Sequence, residues 1–412
     1  MTRCLISDLC SYYCVTHATH PGVAPAQAPQ PPMGTGPGRV SASDRLPRPW
    51  LFPLLVFAAT WVLIVASWTL GARLIVPGYH AQHWYSFLWY KDVSWYWGVA
   101  LYWYAPQGSH GVPVNAAWFP LFPAWLRLCS YLAFGNKVVG ALLAMIISGG
   151  ASAILVWSLA SRIRGHWVAD RAVILYCAFP GAMMLAGAYS EALGIALVTA
   201  SLLAAVNRRW LLAGLFGLLT TAEHPTLVVI VPALALTALH AIWTRRDWRS
   251  LLAPALAPLG IVGYFAWIGT RYHDYLFWFR LERKGWGQKI DFGKAMWQRL
   301  TLQVGLHHTP KHLPFVFLCD LMFAVLVAGV VLMLIARLPL PVTAYTVLLA
   351  ISLSVSNGAG PRPRLVWAAI GIFIGGAALL PRWAYWPVVV ASAALMAFLV
   401  TWWPAHPLVP PP

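Results

Sequence analysis

Long apolar runs alternate with short polar breaks along most of the chain. The runs lie near 51–76, 138–160, 172–188, 190–206, 210–222, 225–243, 251–269, 314–336, 340–356, 365–380 and 384–403. An apolar helix needs about 20 residues to cross the hydrocarbon core of a bilayer. The pattern therefore predicts an all-α polytopic membrane protein with about eleven transmembrane helices, of which 210–222 is the shortest. The stretch 118–134 is apolar too, but Pro120 and Pro123 break it and it carries Arg127. It reads as a juxtamembrane or re-entrant helix, not a span. Residues 1–48 are rich in Pro, Ala and Gly without apolar periodicity, the mark of a disordered tail, with Met33 as an alternative start. They do not show the order of charged, apolar and cleavage regions of a secretory signal. One transmembrane domain, 49–404, follows, and then a Pro-rich tail, 405–412.

Composition strengthens this reading. Of 412 residues, 60% are hydrophobic and 9% charged, with mean hydropathy +0.68. A soluble domain carries about 25% charged residues, so these charges are too few to cover a soluble surface. Trp, with 24 residues, and Tyr, with 16, favour the membrane–water interface. A formal net charge of +17 would suggest nucleic acid in a soluble protein. Here the basic residues lie between apolar runs, so lipid head groups and phosphate-bearing ligands are the expected partners, and nucleic acid is not. Cys129, Cys177 and Cys319 sit in or beside apolar runs and read as small core residues. Cys4, Cys10 and Cys14, with His17 and His20, match no zinc spacing, and no metal is expected.

Basic residues in short loops set the orientation. Arg162, Arg164 and Arg171 share one loop, Arg208 and Arg209 the next of the same parity, and Arg245, Arg246 and Arg249 the one after. Arg337 and Arg382 continue the series, and Arg39, Arg45 and Arg48 precede the first span. All fall on one side if the N-terminus is cytoplasmic, as expected in a plasma membrane. Two long segments then face outward, 77–137 and 270–313. The first is dense in aromatics, from Trp84 and Tyr85 to Trp103 and Tyr104, the composition of helices lying in the interface plane.

Only 11 residues are acidic, so each can be weighed. Asp170 and Asp247 fall in basic cytoplasmic loops and read as local charge partners. Asp92, in KDVSWYWGVA, lies among interfacial aromatics, where a carboxylate is costly unless paired or used. Pairing with Lys91 or capping a helix is its plainer use. Glu191 in AYSEAL, and Glu223 and His224 in TAEHPT, lie at outer junctions, where solvated hairpin polar groups are equally in keeping. Yet all these groups share one leaflet, as a common site requires. The segment 270–313 carries Arg271, Arg280, Arg283, Lys284, Lys289, Lys294, Arg299 and Lys311 against Asp274, Glu282 and Asp291. Arg362 and Arg364 follow in the last outer loop. Fixed cations beside a carboxylate at lipid level suit a lipid phosphate, although lipid head groups alone would also explain them.

One chemistry uses this set. Sugar transfer from a lipid phosphate needs a base for the acceptor hydroxyl and positive charge for the departing phosphate. A second carboxylic acid, as in glycoside hydrolysis, is unnecessary because phosphate leaves as a stable anion. Direct attack would invert the anomeric centre. There is no Gly-rich phosphate loop, no H-E-x-x-H and no G-x-S-x-G. No D-x-D occurs to suggest a bound divalent cation, and no other cofactor is expected. A transporter or lipid flippase is the other class to weigh, but it should show internal repeats and ionisable residues at mid-depth.

In these residues the chain resembles the PIG-V family of GT-C membrane mannosyltransferases over about 50–400. Asp92, Trp95, Tyr96, Val99, Ala100 and Tyr104 follow the order of the family's first outer segment. The run Trp118, Phe119, Pro120, Leu121, Phe122 and Pro123 is similar to its later Phe-Phe-Pro-Leu-Tyr-Pro. Tyr189, Ser190 and Glu191 match its Tyr-Ser-Glu, Trp286 and Gly287 its Trp-Gly, and Arg364 the Arg before a late span. The chain departs at Lys91, where Trp is usual, at Trp103, where Gly is usual, and at His224, where Arg usually precedes Pro. The resemblance implies a GT-C-like bundle with interfacial helices in its first outer loop. It also implies a catalytic Asp92 and a polyprenyl-phosphate-linked mannose donor. Substrate contacts are expected from Tyr96, Tyr189, Glu191, Glu223, His224, Arg283, Lys284, Trp286 and Arg364. The acceptor, whether glycolipid, glycan or protein, stays open, as does a non-catalytic member of the family.

Overall fold

The apolar runs fold as helices and the polar breaks as short turns. The computed structural model describes residues 41–75, 85–89, 92–104, 114–287, 290–300, 313–356 and 360–402. The tail through residue 40 with its Cys and His residues, Lys91, and the C-terminal tail lie outside them. In chain order the helices are α1 (Leu51–Ile75), α2 (Val93–Tyr102), α3 (Leu121–Leu132), α4 (Lys137–Arg164), α5 (His166–Ala178) and α6 (Glu191–Val206). There follow α7 (Trp210–Glu223), α8 (Ile230–Arg245), α9 (Leu252–Leu256), α10 (Leu259–Tyr272), α11 (Phe277–Trp286) and α12 (Lys294–Leu300). The last are α13 (Leu313–Ile335), α14 (Leu340–Val355), α15 (Pro363–Val366), α16 (Ile370–Leu379) and α17 (Arg382–Trp402). No β-strand forms among the described residues; Ile290 and Ser356 make an isolated bridge.

Each predicted run coincides with a helix or with consecutive helical segments. Among the described residues, six helical stretches are long and apolar enough to cross a membrane: Leu51–Gly71, Lys137–Arg164, Pro225–Arg245, Trp248–Tyr272, Phe317–Ile335 and Arg382–Trp402. Helices α6, α7, α14 and α16 are apolar but shorter. The run at 172–188 is not one helix. Pro180 lacks an N–H and disfavours helical geometry at the preceding residue. Phe179 is accordingly extended, α5 ends at Ala178, and a 3-10 segment, Pro180–Leu185, follows.

Small residues bring the helices together. The buried face of α4 carries Gly140, Ala141, Ala144, Ser148, Gly149, Ser152 and Ala153 at helical spacing. In lipid, helices associate through such close contacts, because burial from water drives nothing there. A Cβ at Gly149 would lie 2.5 Å from the Phe57 ring of α1, and one at Gly140 would lie 2.7 Å from Ser130 Cα of α3. Buried hydroxyls find partners across helices: Tyr176 Oη donates to Ser152 Oγ at 2.9 Å, and Trp125 Nε1 to Ser148 Oγ at 3.1 Å.

The expected non-spanning helix is α3. It buries Phe122, Leu126 and Cys129 and exposes Leu128, Tyr131 and Leu132. The segments that carry α2 and α11 meet beside it. Trp95 stacks on Trp118 at 4.9 Å, and Tyr264 Oη donates to Ala116 O at 2.7 Å. Trp278 Nε1 of α11 donates to Ala117 O at 3.3 Å. At the other end, residues 41–44, placed in the tail by composition, are held against α5. Asp170 accepts from the Ser41 hydroxyl, from Ser43 N at 2.9 Å and from Trp157 Nε1 at 2.8 Å. His166 Nδ1 lies 2.6 Å from Asp44 Oδ1. Asp247 accepts from Trp210 Nε1 at 2.7 Å. Thus Asp170 and Asp247 fasten indoles and backbone at this end, a role that loop charge did not suggest.

Candidate functional site

Asp92 stands at the N-cap position of α2 without using its side chain as a cap. Its Oδ2 lies 3.5 Å from Arg364 Nη1, and the same Nη1 lies 3.2 Å from Glu191 Oε1. One guanidinium thus faces two carboxylates from distant parts of the chain. They differ in access: the Glu191 side chain is 5% exposed and that of Asp92 28%. Capping, the plainer use of Asp92, is not made.

Arg364 is placed by a tight turn. It lies in the four-residue α15, whose next residues include the fully buried Trp367. Trp367 stacks on Tyr176 at 4.8 Å and donates its Nε1 to Tyr176 O at 2.9 Å. Gly181 allows this turn to seat: a Cβ there would meet Pro363 O and lie 2.7 Å from Trp367 Cβ. Backbone cannot step aside cheaply, so Gly181→Ala should cost about 1–3 kcal/mol by overpacking and displace Arg364. Thermal unfolding in detergent checks this; an unchanged midpoint would refute the seating.

Glu191 opens α6, where the helix N-terminus favours a negative charge. The Ser190 hydroxyl before it shares a hydrogen bond with Tyr96 Oη at 2.9 Å. Tyr96 also packs edge-on against Phe122 and Tyr189, at 5.0 and 6.3 Å. The Tyr189 ring lies under the Arg364 guanidinium, 5.9 Å from its centroid, and its hydroxyl meets the Asp92 backbone.

Glu223 closes α7 and fits against α6 because Gly194, one turn after Glu191, has no side chain: a Cβ there would strike the Glu223 carboxyl. Helix lengths help explain the burial of these acids. At 1.5 Å per residue, α6 and α7 measure about 20–25 Å, short of the ~30 Å hydrocarbon core.

His224 sits in the extended turn between α7 and Pro225, and its Nδ1 accepts from Thr226 N at 3.2 Å. The neutral ring then carries its proton on Nε2. Burial first, and the Arg364 guanidinium second, push its pKa down to about 3. Glu191, Glu223, His224, Thr226 and Arg364 border one small cavity. A second, apolar slot reaches Tyr189 from the other side, lined by Ile64, Trp68, Phe87, Met183 and Gly187.

The depressed His224 pKa has a thermodynamic consequence. An unfolded chain takes up a proton on this ring near pH 6.5, whereas the folded chain does not until about pH 3. The burial of the neutral ring is therefore fully tolerated above 6.5 and increasingly opposed as pH falls toward 3. His224→Gln should reduce acid sensitivity over this window, as read by unfolding midpoints from pH 7 to pH 4. An unchanged slope would contradict it.

Asp92, Tyr96, Tyr189, Glu191, Glu223, His224 and Arg364 thus come together. Arg283 and Lys284 do not join them: both are exposed on α11, with no bond or ion pair to the cluster among the described residues. Trp286 ends α11, and its side chain lies outside the described residues. Next to them in the chain, Glu282 is half-buried, and burial pushes its carboxyl up to about 7. Sequence reasoning named Ser190 only as part of the Tyr-Ser-Glu match and passed over Gly194, Gly181 and Trp367. Only Ser190 carried a signal, lying between two chosen residues in AYSEAL.

No family model matches the chain, and no curated protein matches it in sequence. Among solved structures, the fold is similar to the crystal structure of ArnT from Cupriavidus metallidurans bound to undecaprenyl phosphate. The TM-score is 0.50 at 16% identity, over 83% of this chain and 62% of ArnT, so the chain spans less than two thirds of that protein. The chain is an all-α polytopic membrane protein of GT-C-like fold.

Proposed function

We propose that this chain is a membrane glycosyltransferase that moves a hexose, mannose by its resemblance to the PIG-V family, from a polyprenyl-phosphate donor to an extracytoplasmic acceptor. The acceptor is a glycolipid, a glycan or a protein. One observation carries the reading: a partly accessible carboxylate, Asp92, lies beside a largely buried guanidinium, Arg364, at the end of a bundle whose fold is similar to that of a protein crystallised with undecaprenyl phosphate.

Asp92 takes the proton from the acceptor hydroxyl as its oxygen attacks the anomeric carbon. The new carbon–oxygen bond forms as the bond to phosphate breaks, and the electron pair leaves on the phosphate oxygen. Arg364 stabilises that developing charge in a water-poor setting, where a preorganised cation acts most strongly. Attack opposite the leaving group inverts the anomeric centre. The neutral Nε2–H of His224 and the buried Glu191 and Glu223 carboxyls offer a donor and acceptors to sugar hydroxyls. Tyr96 and Tyr189 wall the site. Arg283, Lys284 and Trp286 sit on α11, where cations and an indole suit a lipid head group approaching from the interface. The N-terminus lies in the cytoplasm and the site faces outward, by the basic loops, in a plasma membrane.

A transporter would hold its ionisable groups near mid-depth between repeats; here they gather at helix ends. Comparison of the lipid-linked glycans of a deletion strain with those of its parent and of an Asp92→Asn strain tests the assignment. Loss of the same mannosylated species in both supports it. A full set of products in the deletion strain rejects it.

A further inference from the structure

The geometry of Arg364 points to a second feature of the site, which rests on the donor reading above. We propose that Arg364 is a shared clamp: it holds Asp92 until a polyprenyl phosphate takes the guanidinium, so that the donor itself frees the base.

Three observations support this. First, a single nitrogen, Nη1, serves both carboxylates, at 3.2 Å to Glu191 and 3.5 Å to Asp92. Arg–carboxylate pairs at their best are bidentate and near 2.7–2.9 Å, so neither contact is of that kind. Second, the guanidinium is underused: among the described residues its buried Nε has no hydrogen-bond partner, and neither Glu191 oxygen forms a hydrogen bond of good geometry. A phosphate oxygen pair fits a planar fork of N–H groups bidentately and would outbid a loose monodentate contact. Third, the two carboxylates are unequal. Glu191 is the nearer, the more buried, and is fixed at the start of α6. Asp92 is the farther and the more exposed, at the start of a ten-residue interfacial helix. Asp92 is therefore the partner that yields, while Glu191 keeps Arg364 in place.

The consequence is order. Without donor, Asp92 is engaged by a cation and is not free to take the hydroxyl proton. With donor, the phosphate neutralises that cation and the carboxylate turns to the acceptor. Donor binds first, and the base is withheld from water and from acceptor until then.

The inference predicts that losing the base improves donor binding. In purified full-length protein, undecaprenyl phosphate should bind Asp92→Asn about two- to fivefold more tightly than wild type, the upper part of the range expected for removing one partly exposed charge contact. Removing a negative charge would help any anion, so Asp274→Asn is the control: it removes a carboxylate that pairs with Arg280 and not with Arg364. Its affinity should stay near that of wild type. Unfolding midpoints of the same samples verify that both variants are folded. Equal affinities for Asp92→Asn and wild type, or equal gains in both variants, overturn the clamp and leave the transferase reading standing. Failure of wild type to bind undecaprenyl phosphate overturns both.

Discussion

Asp92→Asn should lower the rate of sugar transfer by about 10²–10⁴-fold, the usual contribution of a positioned general base, while expression and unfolding change little. The amide has the shape of the carboxyl and can still accept a hydrogen bond from Arg364, but it cannot take a proton from an acceptor hydroxyl. Its fold cost is small because the side chain is partly exposed and does not cap α2. Glu191→Gln is the informative comparison, since its carboxyl is buried and touches the same guanidinium. If Glu191 were the base, that variant would carry the large loss and Asp92→Asn would be mild. Product formed by membranes from a radiolabelled polyprenyl-phosphate mannose separates the cases. Wild-type turnover in Asp92→Asn rejects the assigned base.

The fold was open to reading because lipid imposes a simple grammar. A backbone with no water to bond must pair its own groups, and a single apolar run about 20 residues long does so as a helix, so apolar length alone located the runs that became α1, α4, α8 and α13. Two prolines and one arginine distinguished α3 from a span. The site was open for a related reason. Charges at lipid depth are few, and loop parity sorted Asp92, Glu191, Glu223, His224 and Arg364 onto one end before any contact was known. What could not be read were contacts made by what a residue lacks. Gly181 and Gly194 act through missing side chains that admit Pro363 and Glu223. Composition counts such residues as ordinary membrane glycines. Residues 41–44 looked like tail because Ser and Asp carry no apolar period, yet they satisfy a buried carboxylate at Asp170. Arg283 and Lys284 were legible as cations but not in their position: the amphipathic α11 exposes both, apart from the cluster, and packs Trp278 inward.

Arg364→Ala should be the most damaging single change to the folded protein and to donor binding together. Removing one member of a buried ion pair costs about 3–5 kcal/mol, because the remaining charge is left without compensation. Here Glu191, 5% exposed, is left, with Asp92 and Glu223 nearby. The stability loss and the binding loss have different origins, and a second substitution separates them. Arg364→Ala with Glu191→Gln removes the stranded carboxylate and should recover much of the unfolding midpoint. It should recover none of the undecaprenyl phosphate binding, because the cation that meets the phosphate is still missing. If binding returned with stability, Arg364 would be a structural counterion only, and the phosphate would have to be held elsewhere. The exposed Arg283 and Lys284 would then be the first residues to examine. If binding stays lost in a stable double variant, the guanidinium itself meets the lipid phosphate, and the carboxylates around it serve to hold it ready.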